Sequence, residues 1–314
     1  MIKLIDDLSL LERLSEKEPY FGCLFAAEAI SFFDDKELLS IWVELDEKGR
    51  AHSFLKANID SVALFSPCGL PGAEMIMFAV NLISSGVKYI DCDENCLLVL
   101  KNLYDFDIEN AVQMFCENRI DMPENGFCVK DRYNFSDAYS VMESEHGKNS
   151  AQSAELWKLR MTRGVQKKQT TLFTLYDEIP VSTACIRGRT KDFGVITSVI
   201  TSPEHRHKGY ASYLTALCTN MLIDEQRTPW LVPANPGVQK MYEKLGYKAA
   251  KTYYYLYNIK EKEDRKLAIF SKLTAAFWSL PKKPKRIVRN LSQESAKLKF
   301  ITTKKFFALS STTV

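Results

Sequence analysis

The sequence predicts a mixed α/β protein of about two domains, because strand-like and helical runs alternate with short links along 314 residues. A second observation is that one order of secondary-structure elements occurs twice along the chain. The succession strand, Pro/Gly turn, helix, strand, helix, strand describes residues 61–117 and again 194–257. The polar stretch 118–126 contains Pro123 and Gly126 and is the expected domain boundary. We therefore expect a first domain over 1–125, a second over 126–258 and a tail over 259–314.

The composition is that of a globular protein, with 46% hydrophobic and 26% charged residues. No apolar run approaches the roughly 18 residues of a membrane-spanning helix. The start "MIKLIDDLSLLERL" carries acids and a leucine stripe, which is not the pattern of a signal peptide. A cytoplasmic location is the resulting expectation. The eight cysteines are spread among apolar neighbours, which predicts reduced hydrophobic side chains. Cys92 and Cys96 lack a second pair and nearby histidines, so no metal site is predicted.

Charge is divided unevenly along the chain. Residues 260–314 carry 14 Lys and Arg against 4 Asp and Glu, so the net of +3 leaves −7 for the first 259 residues. In the tail, the run 264–280 places apolar side chains on one helical face and is followed by the basic "PKKPKRIVRN". Three interpretations stay open: a helix packed on the body, a solvated segment, or contact with an anionic membrane or nucleic acid. No nucleic-acid-binding fold is recognised.

In the first half, the patterns predict helices at 72–86 and 95–106, and strands at 38–45, 61–67, 87–93 and 110–117. In the second half, a short strand from Phe127 precedes two helices, "FSDAYSVMESE" and "SAELWKLRMTRG". A hairpin turned at Asp177, Glu178 and Pro180 comes next. The strand "FGVITSVIT", a loop, the helix "YASYLTALCTNMLIDEQ", the strand "PWLVP", the helix "GVQKMYEKLG" and the strand "KAAKTYYYLYNI" complete the order.

The loop "TSPEHRHKGYA" (201–211) joins a strand to a helix and has the character of an anion site. The first turn of a helix leaves backbone N–H groups unpaired, and its dipole favours a phosphate there. Gly209 allows close approach of the backbone, while Arg206 and Lys208 add positive charge. Neither a dinucleotide fingerprint nor a P-loop is present. On the loop alone, a simple basic strand–turn–helix junction with one glycine is the favoured interpretation.

Two motifs together point to a family. The pattern Arg206-x-x-Gly209-x-Ala211 resembles the Q/R-x-x-G-x-G/A pyrophosphate loop of the GCN5-related N-acetyltransferases (GNAT). The downstream "ANPGVQKMYEKLGYK" (234–248) is similar to the second motif of that superfamily, an Asn followed by "LYEKLGF". The resemblance covers 127–257. It implies a mixed, mostly antiparallel central sheet flanked by helices, with acetyl-CoA as co-substrate and an amine acceptor. "DCDENCLLVLKNLYDFD", with Asn95 and Tyr104, resembles a faded copy of the second motif, which implies two tandem GNAT-like domains.

The resemblance also implies roles for individual residues. The strand before the loop would lend backbone groups to the pantetheine arm, and the loop amides would hold the pyrophosphate. The implied cofactor-binding residues are Val199, Ile200, Thr201, Arg206, His207, Lys208, Gly209, Tyr210, Ala211 and Asn235. Tyr242 matches the tyrosine that protonates the departing thiolate. A phenol with a pKa of ~10 holds its proton at neutral pH, which suits a general acid. By spacing alone, Tyr242 is a packed tyrosine on the face of Met241 and Leu245.

This sequence departs from the family pattern at the general base. Many relatives carry a Glu on the strand before the loop, whereas residues 194–198 read "GVITS" and contain no carboxylate. A water chain, Glu178 or Asp192 are the alternatives, and His205 and His207 suit solvent or phosphate contact better. The main hypothesis is therefore an acetyl-CoA-dependent N-acetyltransferase with a degenerate sister domain. The rivals are a non-catalytic acyl-CoA-binding or regulatory protein and a structural protein without a ligand. The acceptor, the oligomeric state and the role of the tail are not readable from the sequence.

Overall fold

The computed structural model describes residues 1–5, 7–32, 40–57, 61–122, 127–130, 134–146 and 151–261. These residues form a twelve-stranded sheet with helices on both faces, in the order β1-β2-β3-β4-β5-β12-β6-β11-β10-β9-β8-β7. Only two neighbouring pairs, β4 with β5 and β10 with β11, are parallel. The predicted fold class, a mostly antiparallel mixed sheet with flanking helices, is confirmed.

The first half contains β1 (Ile2–Leu4), α1 (Ser9–Lys17), α2 (Pro19–Phe32), β2 (Ser40–Leu45), β3 (Ala51–Ala57), β4 (Ser61–Phe65), α3 (Ala73–Ile83), β5 (Tyr89–Cys92), α4 (Glu94–Leu100) and β6 (Tyr104–Phe115). The second half contains β7 (Cys128–Lys130), α5 (Phe135–His146), α6 (Ala151–Gln166), β8 (Thr171–Asp177), β9 (Ile179–Arg189), β10 (Phe193–Thr201), a 3-10 turn (Pro203–His205), α7 (Tyr210–Asp224), β11 (Thr228–Leu231), α8 (Pro236–Lys244) and β12 (Lys248–Glu261). The two halves repeat the same order of elements; the sequence predicts this repeat over 61–117 and 194–257, and the structure extends it to the whole of both halves.

The two halves exchange their last strands. β12 of the second half pairs with β5 of the first, while β6 of the first half pairs with β11 of the second. The exchanged strands also pair antiparallel with each other, from Lys248↔Phe115 to Glu261↔Tyr104. Each half therefore completes its sheet with a strand from the other.

Helix α2 of the first half packs against strands of the second half on one face of the sheet. It is apolar on nearly its whole circumference, which is typical of a helix buried on every side. Gly188 on β9 makes this approach close, because a Cβ at that position would lie 2.9 Å from the Cβ of Ala27. The thiol of Cys23 donates to the carbonyl of Phe193 at 3.6 Å. A helix of the first half thus lies on the strands of the second.

Buried charges add a polar link at the same interface. Glu28 on α2 accepts from Lys56 Nζ at 2.8 Å and lies 3.4 Å from Nη2 of Arg187 on β9. Burial raises the pKa of the Glu28 carboxyl, but the neighbouring cations Lys56, Arg187 and Arg160 outweigh it and lower that pKa to about 2. The carboxylate is therefore ionised at neutral pH and holds two cations from different halves.

The structure corrects several element predictions. Residues 104–106 begin β6 instead of ending the helix predicted over 95–106, so β6 is longer than the strand predicted at 110–117. β3, α1 and α2 were not assigned from the sequence. Residues 123–126, at the predicted domain boundary, and the tail beyond Glu261 lie outside the described residues. No helix in the described ranges has the length and apolarity to cross a bilayer.

We expect Glu28→Gln to lower the free energy of unfolding by about 3–5 kcal/mol, because it leaves Lys56 and Arg187 buried without a counter-charge. Glu155→Gln is the matched control, since its carboxylate faces solvent and pairs with Lys158 at 3.5 Å. That change should alter stability by less than about 1 kcal/mol. Urea unfolding measures both.

The same cluster predicts a pH dependence. A carboxyl whose pKa is lowered contributes stability above its unfolded pKa, and that contribution is lost as pH falls through 4.5 towards about 2. The difference between the parent chain and Glu28→Gln should shrink over that window. If the stability difference between the two chains stays constant over that window, ionisation of Glu28 is not its cause.

Candidate functional site

The site begins where two parallel strands separate. β10 and β11 pair only over Phe193↔Thr228, Gly194↔Pro229 and Val195↔Trp230. Beyond Val195, β10 continues for six residues along β9 alone. A wedge therefore opens in the sheet between β10 and β11, and we call this opening the splay.

A backbone irregularity accompanies the splay. The register between β10 and β9 shifts between Val195 and Ile196 and again between Thr197 and Ile200. Ser198 has a φ of 53°, which is rare for a residue with a side chain and marks a bulge. All five residues from Thr197 to Thr201 are half-buried, although β10 is an interior strand of the sheet. The edge of β10 that faces the splay is thus accessible.

The predicted pantetheine-contacting residues Val199, Ile200 and Thr201 line this edge. Some of their polar groups already have partners. The Ser182 hydroxyl donates to the Ile200 carbonyl at 2.8 Å, and Arg206 Nε donates to the Thr201 carbonyl at 3.4 Å. A carbonyl oxygen has two lone pairs, so the Thr201 carbonyl can accept a further hydrogen bond, whereas the Ile200 carbonyl belongs to the ladder with Thr183 on β9.

The loop after β10 ends on the N-terminus of α7 as an open anion cradle. Gly209 precedes the helix with φ 85° and ψ 0°, in the left-handed region that favours glycine. No side chain caps α7, and its first turn has no acid. Among the described residues, no hydrogen bond from the amides of 207–212 is found. A 15-residue helix therefore presents unsatisfied N–H groups next to the exposed side chains of Arg206, His207 and Lys208.

Tyr210 contributes its backbone to this loop, because its side chain is buried. Its ring packs against Phe127 with centroids 5.0 Å apart, and its hydroxyl donates to Asp177 Oδ2 at 2.8 Å. This hydrogen bond is the main cause that lowers the pKa of the Asp177 carboxyl, and Lys208 at 3.4 Å adds to it. The β8–β9 hairpin is thereby tied to the first turn of α7.

The second motif lies on α8, beside the splay. The Asn235 side chain caps that helix, because its Oδ1 accepts from the amide of Val238 at 3.0 Å. Its amide nitrogen makes no hydrogen bond with the described residues and is available to a ligand. Tyr242, only 3% exposed, lies in the core formed by α7, α8 and the second-half strands. Burial is the main cause that raises the pKa of its phenol, with the Cys218 thiol second.

The predicted alternatives for the general base are spread out. Glu178 is exposed in the β8–β9 turn. Asp192 is exposed in the turn before β10, at the far end of that strand from the loop. The Nδ1 atom of His205 is buried without a partner in the described part of the chain. β10 carries no carboxylate, and the one carboxylate of α8, Glu243, is exposed and accepts from Gln239 Nε2 at 2.9 Å.

The equivalent place in the first half is closed. β4 and β5 stay paired from Ser61↔Tyr89 to Leu64↔Cys92. The amide of Gly72, at the N-terminus of α3, donates to Glu44 Oε2 at 3.0 Å, so a carboxylate of the protein takes the position of an anion. Asn95 on α4 donates to the carbonyl of Ser66, just after β4, at 2.8 Å, and Tyr104 begins β6 instead of lying on a helix. These contacts fit the degenerate copy that the sequence predicts.

Comparisons with known proteins agree with this geometry. Residues 175–256 match the family model described as FR47-like protein. No curated protein sequence resembles the chain closely enough to count as a match. Similar solved structures include a Drosophila protein at 13% identity, covering 82% of this chain and 98% of that one with a TM-score of 0.57. A GCN5-related N-acetyltransferase from Sphaerobacter thermophilus, at 14% identity, covers 83% and 96% with a TM-score of 0.53.

A tandem GNAT protein from the clavulanic acid biosynthesis pathway is similar at 11% identity, covering 83% of this chain and 98% of that one with a TM-score of 0.57. The chain thus has the GNAT fold in two tandem copies, and its second half matches the FR47-like model. At these identities the likeness is one of fold.

We expect Asn235→Ala to lower the free energy of unfolding by about 1 kcal/mol, because the cap on Val238 is lost. Asn235→Asp keeps a capping oxygen at a helix N-terminus and should unfold like the parent chain. Thermal unfolding of both variants measures this. Equal loss in both variants would show that the cap does not stabilise α8.

Proposed function

We propose that the protein is an N-acetyltransferase that moves an acetyl group from acetyl-CoA to a primary amine by direct transfer. The observation that carries the proposal is the splay, which ends on the open N-terminus of α7 beside the exposed cations Arg206 and Lys208. A long, flexible thioester with a pyrophosphate at one end matches a groove with an anion cradle at one end. The first half is proposed to bind no acyl-CoA, because Glu44 occupies its cradle.

Different residues along the splay would bind different parts of acetyl-CoA. The amides of His207, Lys208, Gly209, Tyr210 and Ala211, with the side chain of Arg206, would hold the pyrophosphate. The edge of β10 would take the pantetheine arm, and the Asn235 amide nitrogen would contact it. These contacts position the thioester between the ends of β10 and β11, which holds the reacting atoms together.

The chemistry needs one bond made and one broken. A neutral amine attacks the thioester carbonyl carbon, and backbone N–H groups at the splay stabilise the oxygen as it gains negative charge. The C–S electron pair moves to sulfur, the thiolate gains one proton, and the amine nitrogen loses its surplus proton. Acetylated amine and CoA are the products.

Tyr242 is proposed to assist the leaving sulfur as a hydrogen-bond donor, and the proton that the thiolate finally gains comes from water. The raised pKa of Tyr242 keeps the phenol protonated at every physiological pH. The same shift makes complete transfer to a thiolate, with a pKa of ~8.5, unfavourable. Tyr242 therefore acts mainly by a hydrogen bond that strengthens as charge develops on sulfur.

A non-catalytic acyl-CoA-binding protein is the second candidate, and one observation favours it. β10 carries no carboxylate to accept the amine proton. Turnover separates the two candidates, since both predict binding of acetyl-CoA at the same loop.

We expect acetyl-CoA at ~100 times its Kd to stabilise the chain by about 2.7 kcal/mol, because it binds only the folded state. The midpoint of thermal unfolding should rise by several degrees. Gly209→Glu should abolish this rise, because it places a negative side chain on a left-handed residue in the cradle. Gly49→Glu is the control, a left-handed glycine in a distant turn with open space around it. No rise in the parent chain would refute both candidates.

We expect Tyr242→Phe to lower kcat by about 100-fold while the Kd of acetyl-CoA stays unchanged, because only the transition state uses the hydroxyl. Tyr247→Phe is the matched control. Its buried ring lies 5.7 Å from that of Tyr242, and its hydroxyl bonds to Thr219 at 2.6 Å. The control should lose about 1 kcal/mol of stability and keep kcat. A kcat that is equal in both variants would exclude Tyr242 from the reaction.

A further inference from the structure

Strand β6 is paired along the whole of one edge but only at the end of the other. Its pairing with β12 runs from Phe115 back to Tyr104. Its pairing with β11 consists of Trp230↔Phe115 and Leu231↔Met114. In the part of the chain that the structure describes, no third strand neighbours β6. The stretch of β6 before Met114 therefore has an edge that no strand covers.

The direction of the main-chain groups on this edge follows from the contact with β11. The Cys116 amide donates to the Pro229 carbonyl at 3.1 Å, so the main-chain groups of Cys116 point towards β11. Successive residues of a strand turn their N–H and C=O groups to opposite edges, and every second residue turns them the same way. The pairing of β6 with β12 is regular over 107–113. Ile108 and Asn110 therefore each direct an N–H and a C=O away from β12.

Solvent reaches the uncovered edge. Ile108, Glu109 and Asn110 are exposed, and the Ile108 residue is 51% exposed although it lies in the interior of a strand. Among the described residues, no main-chain hydrogen bond outside the ladder with β12 involves Ile108 or Asn110. A strand edge of this kind is a template on which another extended chain can pair.

The side chains of this stretch differ between the two faces of the strand. Ile108 and Asn110 project to one face, and the acids Asp107 and Glu109 project to the other. Side chains that stand opposite each other on neighbouring strands share a face and interact. A chain added to this edge would therefore be matched by β-branched residues beside Ile108 and by cations beside Asp107 and Glu109.

Charge decides between the candidate occupants of the edge. A second copy of the chain that paired here would bring an identical acidic edge against Asp107 and Glu109, and like charges on adjacent strands are destabilising. A basic chain gains from the same carboxylates. Residues 1–259 are also net negative, which attracts a basic partner over longer distances. An extended basic segment of another protein is therefore the occupant that fits.

We propose that the exposed edge of β6 binds an extended basic peptide by strand addition, with β-branched residues alternating with lysine or arginine. Main-chain hydrogen bonds to Ile108 and Asn110 supply the affinity, and the carboxylate of Glu109 supplies the preference for cations. The inference stands apart from the proposed transfer reaction, because it requires neither acetyl-CoA nor Tyr242.

Fluorescence anisotropy of a labelled peptide with the full chain, without acetyl-CoA, tests the proposal. The probe is a short peptide of alternating lysine and valine with blocked ends. A peptide of alternating glutamate and valine is the charge control. It should bind at least ~10-fold more weakly, because its carboxylates would lie against Asp107 and Glu109.

Two N-methylated forms of the lysine–valine peptide distinguish strand addition from attraction between charges alone. An added strand uses the amides of every second residue to pair with its neighbour. Methylation of one alternating set of amides should therefore abolish binding, and methylation of the other set should spare it. Charge attraction without main-chain pairing predicts the same Kd for both forms.

Asn110→Pro and Asn110→Ala form a matched pair on the protein side. Proline removes the outward N–H and should weaken binding at least ~10-fold, whereas alanine keeps that N–H and should bind within about 2-fold of the parent chain. The N–H that proline removes makes no bond to β12, so the midpoint of thermal unfolding should stay close to that of the parent chain. If Asn110→Pro does not fold, the methylated peptides still decide the question. Glu109→Gln should weaken binding by up to ~5-fold, the effect of one exposed ion pair.

No binding of the lysine–valine peptide to the full chain would overturn the proposal. Equal Kd values for the two methylated forms, or for the lysine and glutamate peptides, would also overturn it. Sedimentation velocity tests the other occupant, because a dimer that separates in Asn110→Pro would show that a second copy takes the edge and would refute the proposal. None of these results affects the stabilisation by acetyl-CoA, on which the proposed function depends.

Discussion

The exchange of β6 and β12 is the constraint on which the rest of the structure depends. These strands pair with each other over most of their length, and each also completes the sheet of the other half. Without β12 the first half would expose the edge of β5, and without β6 the second half would expose β11. Neither half can close its own sheet alone, so folding of the two halves is coupled through main-chain hydrogen bonds.

The exchange also sets the direction of the two strand junctions. β12 runs antiparallel to both β5 and β6, and β6 runs antiparallel to β11. β5 and β11 therefore run in opposite directions, so the ends of β4–β5 and β10–β11 lie at opposite ends of the sheet. The second junction opens onto α7, whereas the first is sealed by Glu44. The contact with Glu44 that closes the β4–β5 junction therefore does not alter the geometry of the β10–β11 junction.

Local signals predicted the second half well, and the reason lies in how that half is built. The loop with Gly209 and the segment of α8 carry turn and helix residues that act within a few positions of the chain, so the elements they form are readable from spacing, whereas their roles came from the family resemblance. The first half was harder because α2 is apolar all round and has no helical stripe. The start of β6 at Tyr104 depends on pairing with a strand about 150 residues later, which no local pattern reveals.

The candidate site also depends on long-range contacts that local sequence patterns do not reveal. The resemblance to a family motif singled out Asn235 and Tyr242, and no local pattern linked Tyr20 to them. α2 brings Tyr20 to the end of the β10–β11 pairing from the opposite direction in sequence. The first half, whose own junction is closed, thus still supplies a helix that packs beside the open junction of the second half.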